Sequence, residues 1–155
     1  MQYNNFVENF RAVYAQLTQN GYSVRVKGMA WMQGEADLGQ SQSYKALLPT
    51  LIGDLRNDLQ KITGDDAVRN MPFVIGEIAT TFGRYNNPSV PYMIAAQREV
   101  ACAVDCVYTV KTDDLIIVDR DGNTAADDVW HFGTADAVTL GERFGTALAV
   151  AAGKD

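Results

Sequence analysis

Apolar residues recur near the start of the chain at the spacing of one helical face: Phe6, Val7, Phe10, Val13, Tyr14 and Leu17. A repeat of three and four residues is what a 3.6-residue turn brings to one side, so this stretch predicts an amphipathic helix. Asn5 and Glu8 stand at capping-box spacing, with Asn in place of the usual Ser or Thr, and Gly21 supplies the stop. The pattern then changes. "SVRVKGMAW", residues 23–31, predicts a strand ending at a Gln33-Gly34-Glu35 turn. Leu47, Leu48, Leu51, Ile52, Leu55, Leu59 and Ile62 mark a second helix, and Pro49 requires that its regular part begin near there or be kinked.

"MPFVIGEIA", residues 71–79, is nearly continuous in apolar residues, as expected of a parallel strand covered on both faces. After the polar stretch "TTFGRYNNPS", Pro91 suits the first turn of a helix running to about Val104. "CVYTV", residues 106–110, predicts a third strand. A last helix, about 135–152, is expected to turn Val138, Gly141, Phe144, Gly145 and Leu148 inward, its glycines allowing close approach to a sheet. Helices and strands therefore alternate as in a doubly wound α/β domain, where sites lie at the carboxyl ends of strands. The loop after the first strand and the segment after the third are where chemistry is expected.

Composition narrows the function classes. The chain has 155 residues, 47% apolar and 21% charged, enough for one globular, soluble domain with a real core. No apolar run reaches the roughly 18 residues of a membrane span, and "MQYNNFVENF" has neither the basic start nor the apolar stretch of a signal peptide. A net charge of -6 offers no basic stripe for phosphates, which argues against nucleic acid and for a small neutral or weakly polar substrate. Cys102 and Cys106, four residues apart, match neither a redox pair nor a zinc spacing, and are expected to be buried free thiols, with a local disulfide as the alternative.

The chain's one histidine lies in "DDVWHFG". Asp128 precedes His131 by three residues, a spacing at which a carboxylate can hold one imidazole nitrogen and leave the other to act as a base. A surface histidine beside an aspartate is the plainer reading; Trp130 and Phe132, which can bury one side of the ring, and the position just before the last helix favour the catalytic one.

"WMQGEAD", followed by Tyr44 and the "LIGDLR" helix, then "FVIGEIA", then "DDVWHFGTADAVTLGERFGTAL", resembles the carbohydrate acetylesterase branch of the SGNH (GDSL-like) hydrolases. That branch includes acetylxylan esterases and sialic-acid O-acetylesterases, and the likeness runs in order through nearly all 155 residues. The resemblance implies a three-layer α/β/α fold of SGNH/flavodoxin-like type with a parallel sheet. It also implies a Ser-His-Asp mechanism acting on an acetylated carbohydrate, with no metal or organic cofactor, in which Asp128 and His131 are two triad members. Gln33 would offer its amide to the oxyanion, and Gly34 and Glu35 would line or brace the site.

One block of the family pattern is absent. The nucleophilic serine normally sits in a Gly-Gln-Ser-Asn motif at the end of the family's first strand, well upstream of the tryptophan loop. Residues 1–155 therefore read as the C-terminal portion of a single SGNH domain, with about a hundred residues and the N-terminal strands apparently missing. Gly39-Gln40-Ser41-Gln42 imitates the motif but does not sit directly at a strand end, so Ser41 and Ser43 are expected to cap or lead into the helix that Tyr44 starts. The strand at 23–31 would be a bare edge, predicting a homo-oligomer or a companion N-terminal segment that donates a strand. The rival reading is a non-catalytic fragment or carbohydrate-binding pseudo-enzyme that keeps the site's walls without its nucleophile. The sugar, and whether the parent protein is secreted or periplasmic, are not encoded in any of these motifs.

Two further stretches invite chemistry. "DRDGNTAADD" is rich in calcium-type ligands, yet Gly122 is fourth from Asp119 where an EF-hand loop needs glycine sixth, so a polar turn is expected. In "TTFGRYNNPS", Arg84, Tyr85 and the asparagines could hydrogen-bond sugar hydroxyls.

Overall fold

A computed structural model describes residues 2–80, 87–117 and 131–153. Helix α1 (Gln2–Gln19) is followed by strand β1 (Met29–Met32), a 3-10 turn (Glu35–Gln40) and helix α2 (Ser41–Thr63). A second 3-10 turn (Asp66–Asn70) leads to β2 (Phe73–Gly76), α3 (Val90–Ala103), β3 (Val107–Val110) and α4 (Thr134–Ala152). The strands form one parallel sheet in the order β1-β2-β3, with Met29 opposite Phe73 and Phe73 opposite Val107.

Side chains alternate across β2, and each face has its own cover. Phe73 and Ile75 belong to the larger core with Ile52, Leu55, Met93 and Val100 of α2 and α3, while Val74 packs with Leu140, Phe144 and Leu148 of α4. The result is the three-layer α/β/α arrangement of the SGNH type, with β2 buried at all four positions. β1 differs: Ala30 and Met32, on the α4 side, are exposed. Among the described residues β1 and β3 are the edges of the sheet.

The predicted elements are present, with their ends moved. Strand 23–31 contracts to Met29–Met32, because the Met29 N–H reaches the carbonyl of Pro72 and Pro72 has no N–H with which to extend the ladder. Gly28 also leaves no room for a side chain, since a Cβ there would lie 2.5 Å from Leu148 Cδ2 and 2.8 Å from the Pro72 oxygen. The second helix begins at Ser41 and runs through Pro49, because burial of Tyr44 and Leu48 holds the turns before the proline. Ser41 and Ser43 therefore lie in its first turn, and its N-cap, Gln40, makes no side-chain cap bond.

Helix α1 starts at Gln2, ahead of the expected Asn5 cap, because Tyr3 is anchored to α2 by a 2.8 Å hydrogen bond from its hydroxyl to Asp58 Oδ2. Its inner stripe is Tyr3, Val7, Phe10, Tyr14 and Leu17, leaving Phe6 and Val13 exposed. Gly21, at φ 83°, ends the segment as expected, with its N–H bonded to the Thr18 oxygen. Helix α4 turns Phe144 and Leu148 to the sheet as expected, together with Leu140, Ala147 and Ala151, but the other expected residues turn away: Val138 is 59% exposed and Gly141 and Gly145 face outward. Cys102 and Cys106 are free thiols but not buried ones, Cys102 being exposed on the outer face of α3 and Cys106 half-buried. Among the described residues no helix is long and apolar enough to cross a membrane.

The Tyr3–Asp58 contact carries a pH dependence. Burial first, then the hydrogen bond and charge of Asp58, push the Tyr3 phenol up to about 12 from 10.0. A folded-state pKa above the unfolded one stabilises fully below pH 10, and that contribution is lost as pH rises toward 12. In Tyr3→Phe the decline of stability over pH 10–12 should be shallower than in the wild type, as read from urea melts across that range; parallel curves would rule the contact out as its source.

Candidate active site

The carboxyl end of β1 delivers the Gln33-Gly34-Glu35 turn. Trp31 faces the α2 and α3 layer, its ring 5.9 Å from that of Phe73. Met32 faces the other layer, its sulfur 2.6 Å from where a Cβ on Gly76 would stand, so Gly76 gives it room. Gly34 is required twice over: its φ is 146°, and a Cβ would sit 2.8 Å from Ile78 Cγ2 and 3.3 Å from both Gln97 Nε2 and Met93 Cγ. The chain then winds into the 3-10 turn, the Asp37 N–H donating to the Gly34 oxygen at 3.1 Å.

Gln33 is held at both ends. Its carboxamide nitrogen donates to Asp37 Oδ2 at 2.7 Å, a charge-assisted bond that fixes the side chain and leaves one amide N–H to offer elsewhere. Its backbone oxygen accepts from the Tyr44 hydroxyl at 3.2 Å and from Gln97 Nε2 at 3.1 Å. The Tyr44 hydroxyl in turn accepts from Trp31 Nε1 at 3.2 Å. Burial raises the pKa of this phenol, which stays neutral and able to donate.

His131 reaches the same end of the sheet from the far side of the sequence. The next residue, Phe132, pairs with buried Ile117 in an antiparallel bridge and packs against both cores. The Asp136 carboxylate in the first turn of α4 accepts the Ile116 N–H at 2.8 Å and ties the two segments together. His131 itself is exposed and lines a cavity of about 540 Å³ with Met32, Glu35, Ala36 and Phe132. Gln33 lines a second cavity, of about 390 Å³, with Trp31, Asp37, Gln40, Ser43, Tyr44 and Leu47. The two clefts lie on opposite sides of β1, as alternation along a strand dictates. The structure thus brings His131 and Glu35 together and sets Gln33 in the neighbouring cleft. Asp128 lies outside the described residues, as do Arg84, Tyr85 and the acidic stretch 119–128. Among the described residues no group of three or more His, Cys, Asp or Glu side chains is placed to hold a metal ion.

The family model described as carbohydrate esterase, sialic acid-specific acetylesterase, matches residues 1–150. The chain belongs to this family. Among solved structures, the chain is similar to a protein from Arabidopsis thaliana, with a TM-score of 0.67 and 21% identity over 92% of this chain. The match covers 51% of the plant chain, so the present chain spans about half of its length, and at this identity the likeness is one of fold. No curated protein matches the chain.

Three more residues shape this esterase-family site, two of them, Asp37 and Glu77, inside the stretches "WMQGEAD" and "FVIGEIA". Asp37, four residues past Gln33, is the side-chain partner of the proposed oxyanion donor. Gln97, at 0% exposure, occupies a position of the apolar stripe Val90, Met93, Ile94, Val100, and a glutamine in such a stripe is itself the signal. Glu77, inside the apolar run after β2, is 2% exposed and pairs with Arg98 through two bonds of 2.8 and 2.7 Å.

Proposed function

We propose that this chain carries the histidine and oxyanion side of a serine esterase that removes acetyl groups from carbohydrate, with the nucleophilic serine on a companion segment lying along β1. The observation that carries the reading is the shared cavity of His131 and Glu35, which joins the two family motifs at the carboxyl end of a parallel sheet. In this mechanism His131 takes the serine proton as the serine oxygen attacks the acetyl carbonyl carbon. The remaining N–H of the Gln33 carboxamide donates to the tetrahedral oxyanion, and Asp128 orients the imidazole. Collapse breaks the bond to the sugar oxygen, which leaves with the proton from His131. A water molecule, deprotonated by the same histidine, then releases acetate. Glu35 braces the turn.

The sheet favours a companion segment at this place. Among the described residues, the free edge of β1, its exposed Ala30 and Met32, and the outward Val138, Gly141 and Gly145 of α4 leave one side of the site without cover. A strand beside β1 would put its carboxyl end between the Gln33 cleft and the His131 cleft, where a nucleophile is needed.

A serine-directed fluorophosphonate distinguishes this reading from its rivals. The isolated chain is expected to keep its mass unchanged and to hydrolyse p-nitrophenyl acetate no faster than an unrelated acidic protein, whereas the protein containing the companion segment is labelled there. Labelling of the Ser41 peptide in the isolated chain, lost in His131→Ala, would overturn the division of the site between two segments. Absence of labelling and of turnover in the complete protein would favour a non-catalytic carbohydrate-binding role.

A further inference from the structure

We propose that Gln97 is the positioning residue that sets the Gln33-Gly34-Glu35 turn against β2, and so fixes where the Gln33 carboxamide meets the oxyanion. The inference rests on the oxyanion role proposed for Gln33. From the middle of α3 the Gln97 side chain enters the space between the carboxyl ends of two strands and is fully buried. Its oxygen accepts the Ile78 N–H at 3.1 Å, and its nitrogen donates to the backbone oxygens of Gln33 at 3.1 Å and Gly76 at 3.2 Å. Both amide protons and one oxygen lone pair are thus used on three backbone groups from two chain segments.

No other side chain of this length meets that requirement. Methionine offers no polar partner, a neutral glutamic acid offers one proton where two are needed, and asparagine is one methylene shorter. Gly34 completes the fit from the opposite side, because a Cβ there would stand 3.3 Å from the Gln97 nitrogen. The Gln33 oxygen also takes the Tyr44 hydroxyl, so α2 and α3 grip the same carbonyl, while the Gln33 side chain is gripped separately by Asp37. The turn is therefore located by buried groups on rigid helices, which is how a donor is held to within the tolerance an oxyanion requires.

Trp31, which reports on the same carbonyl through Tyr44, makes the proposal measurable in this chain without any catalytic turnover. In Gln97→Met, the Ile78 amide should exchange with solvent roughly ten- to a hundredfold faster, the loss expected when a buried hydrogen-bond partner is removed, and the Trp31 indole resonance should shift. Amides of α1 should keep their wild-type protection. In Gln97→Glu, a buried carboxyl facing two carbonyl oxygens resists ionisation and its one proton serves only one of them, so the signals should lie between wild type and Gln97→Met at acid pH and move in a single step as pH rises. Wild type and Gln97→Met serve as controls that subtract the titrations of Glu35, Asp37, Tyr44, Glu77 and His131. In the complete esterase, Gln97→Met should lower kcat per folded molecule, the folded fraction being counted by circular dichroism, about tenfold or more with KM unchanged, whereas simple loss of stability leaves kcat per folded molecule intact.

Unmoved Trp31 and Ile78 signals in both variants would overturn the proposal, as would loss of protection spread evenly over α1 and α4, or a raised KM with intact kcat. Should Gln97→Met fail to fold, the Gln97→Glu titration decides alone. An inactive complete protein whose Gln97 variants still shift these two signals would instead refute the esterase reading and leave the hold on the turn established.

Discussion

If the proposed esterase mechanism holds, His131→Ala is expected to lower kcat of the complete protein by about 10³-fold or more, with little change in KM, as measured by acetate release from an acetylated sugar. The size follows from the role proposed for the imidazole: it removes the serine proton in acylation and the water proton in deacylation, and no other described side chain in its cavity combines an accessible basic nitrogen with that position. The cavity's remaining polar group, the Glu35 carboxylate, belongs to the turn. Substitution should leave the surroundings intact, because His131 is exposed while Phe132, bridged to Ile117, carries the packing. Asp128→Asn should cost less than His131→Ala, and Gln33→Ala about 10² to 10³ if its second amide proton meets the oxyanion. A rate for His131→Ala within several-fold of wild type would end the assignment of this histidine as the base.

What the sequence made legible was periodicity, and what it hid was partnership. Helices α2 and α3 could be read because their apolar repeats match the surfaces they cover, apart from the turns before Pro49. The strands came out short because strand length is set by the neighbour. Val24 and Val26 keep the alternation of a strand and are half-buried, yet among the described residues they have no ladder partner, since β2 begins only at Phe73, just after Pro72. Helix α4 was read only partly right: Phe144 and Leu148 do face the sheet, but Val138, Gly141 and Gly145 do not. Its glycines suggested close approach to the sheet, but among the described residues nothing beyond the helix's own backbone lies within 4 Å of a Cβ placed on Gly141 or Gly145. At the site, the Gln-Gly-Glu turn and the histidine were visible as motifs. Of the polar residues that brace this end of the sheet, Glu77 lies in the motif "FVIGEIA", whereas Gln97, which holds the turn, was visible only as a polar residue where an apolar one was due, a signal that marks a buried network without naming its partners. Asp128, read from spacing and resemblance, lies outside the described residues.

Arg98→Met should destabilise the chain by about 2–4 kcal/mol at neutral pH, somewhat below the roughly 3–5 kcal/mol typical of breaking a fully buried pair. The carboxylate of Glu77 is 3% exposed and receives both Arg98 bonds, whereas the Arg98 side chain is 52% exposed. Removing the guanidinium therefore leaves the less solvated partner behind, and water entering through the arginine's own opening offsets part of the cost. The hydrogen bonds to Glu77 raise the pKa of Arg98, so the guanidinium stays charged throughout the neutral range. Its place in the fold gives the loss a functional edge: Gln97 and Arg98 are neighbours on α3, one holding Gly76 and Ile78, the other Glu77 between them. Thr112 adds a third hold by donating to the Glu77 and Ile78 oxygens at 2.9 and 3.0 Å. The double variant Glu77→Gln with Arg98→Met should regain a large part of the stability, because a neutral amide tolerates the site better than an unpaired charge. Urea melts of the four proteins in that cycle decide the matter: a double variant no more stable than Arg98→Met would mean that the arginine acts by packing its methylenes and not by neutralising the buried carboxylate.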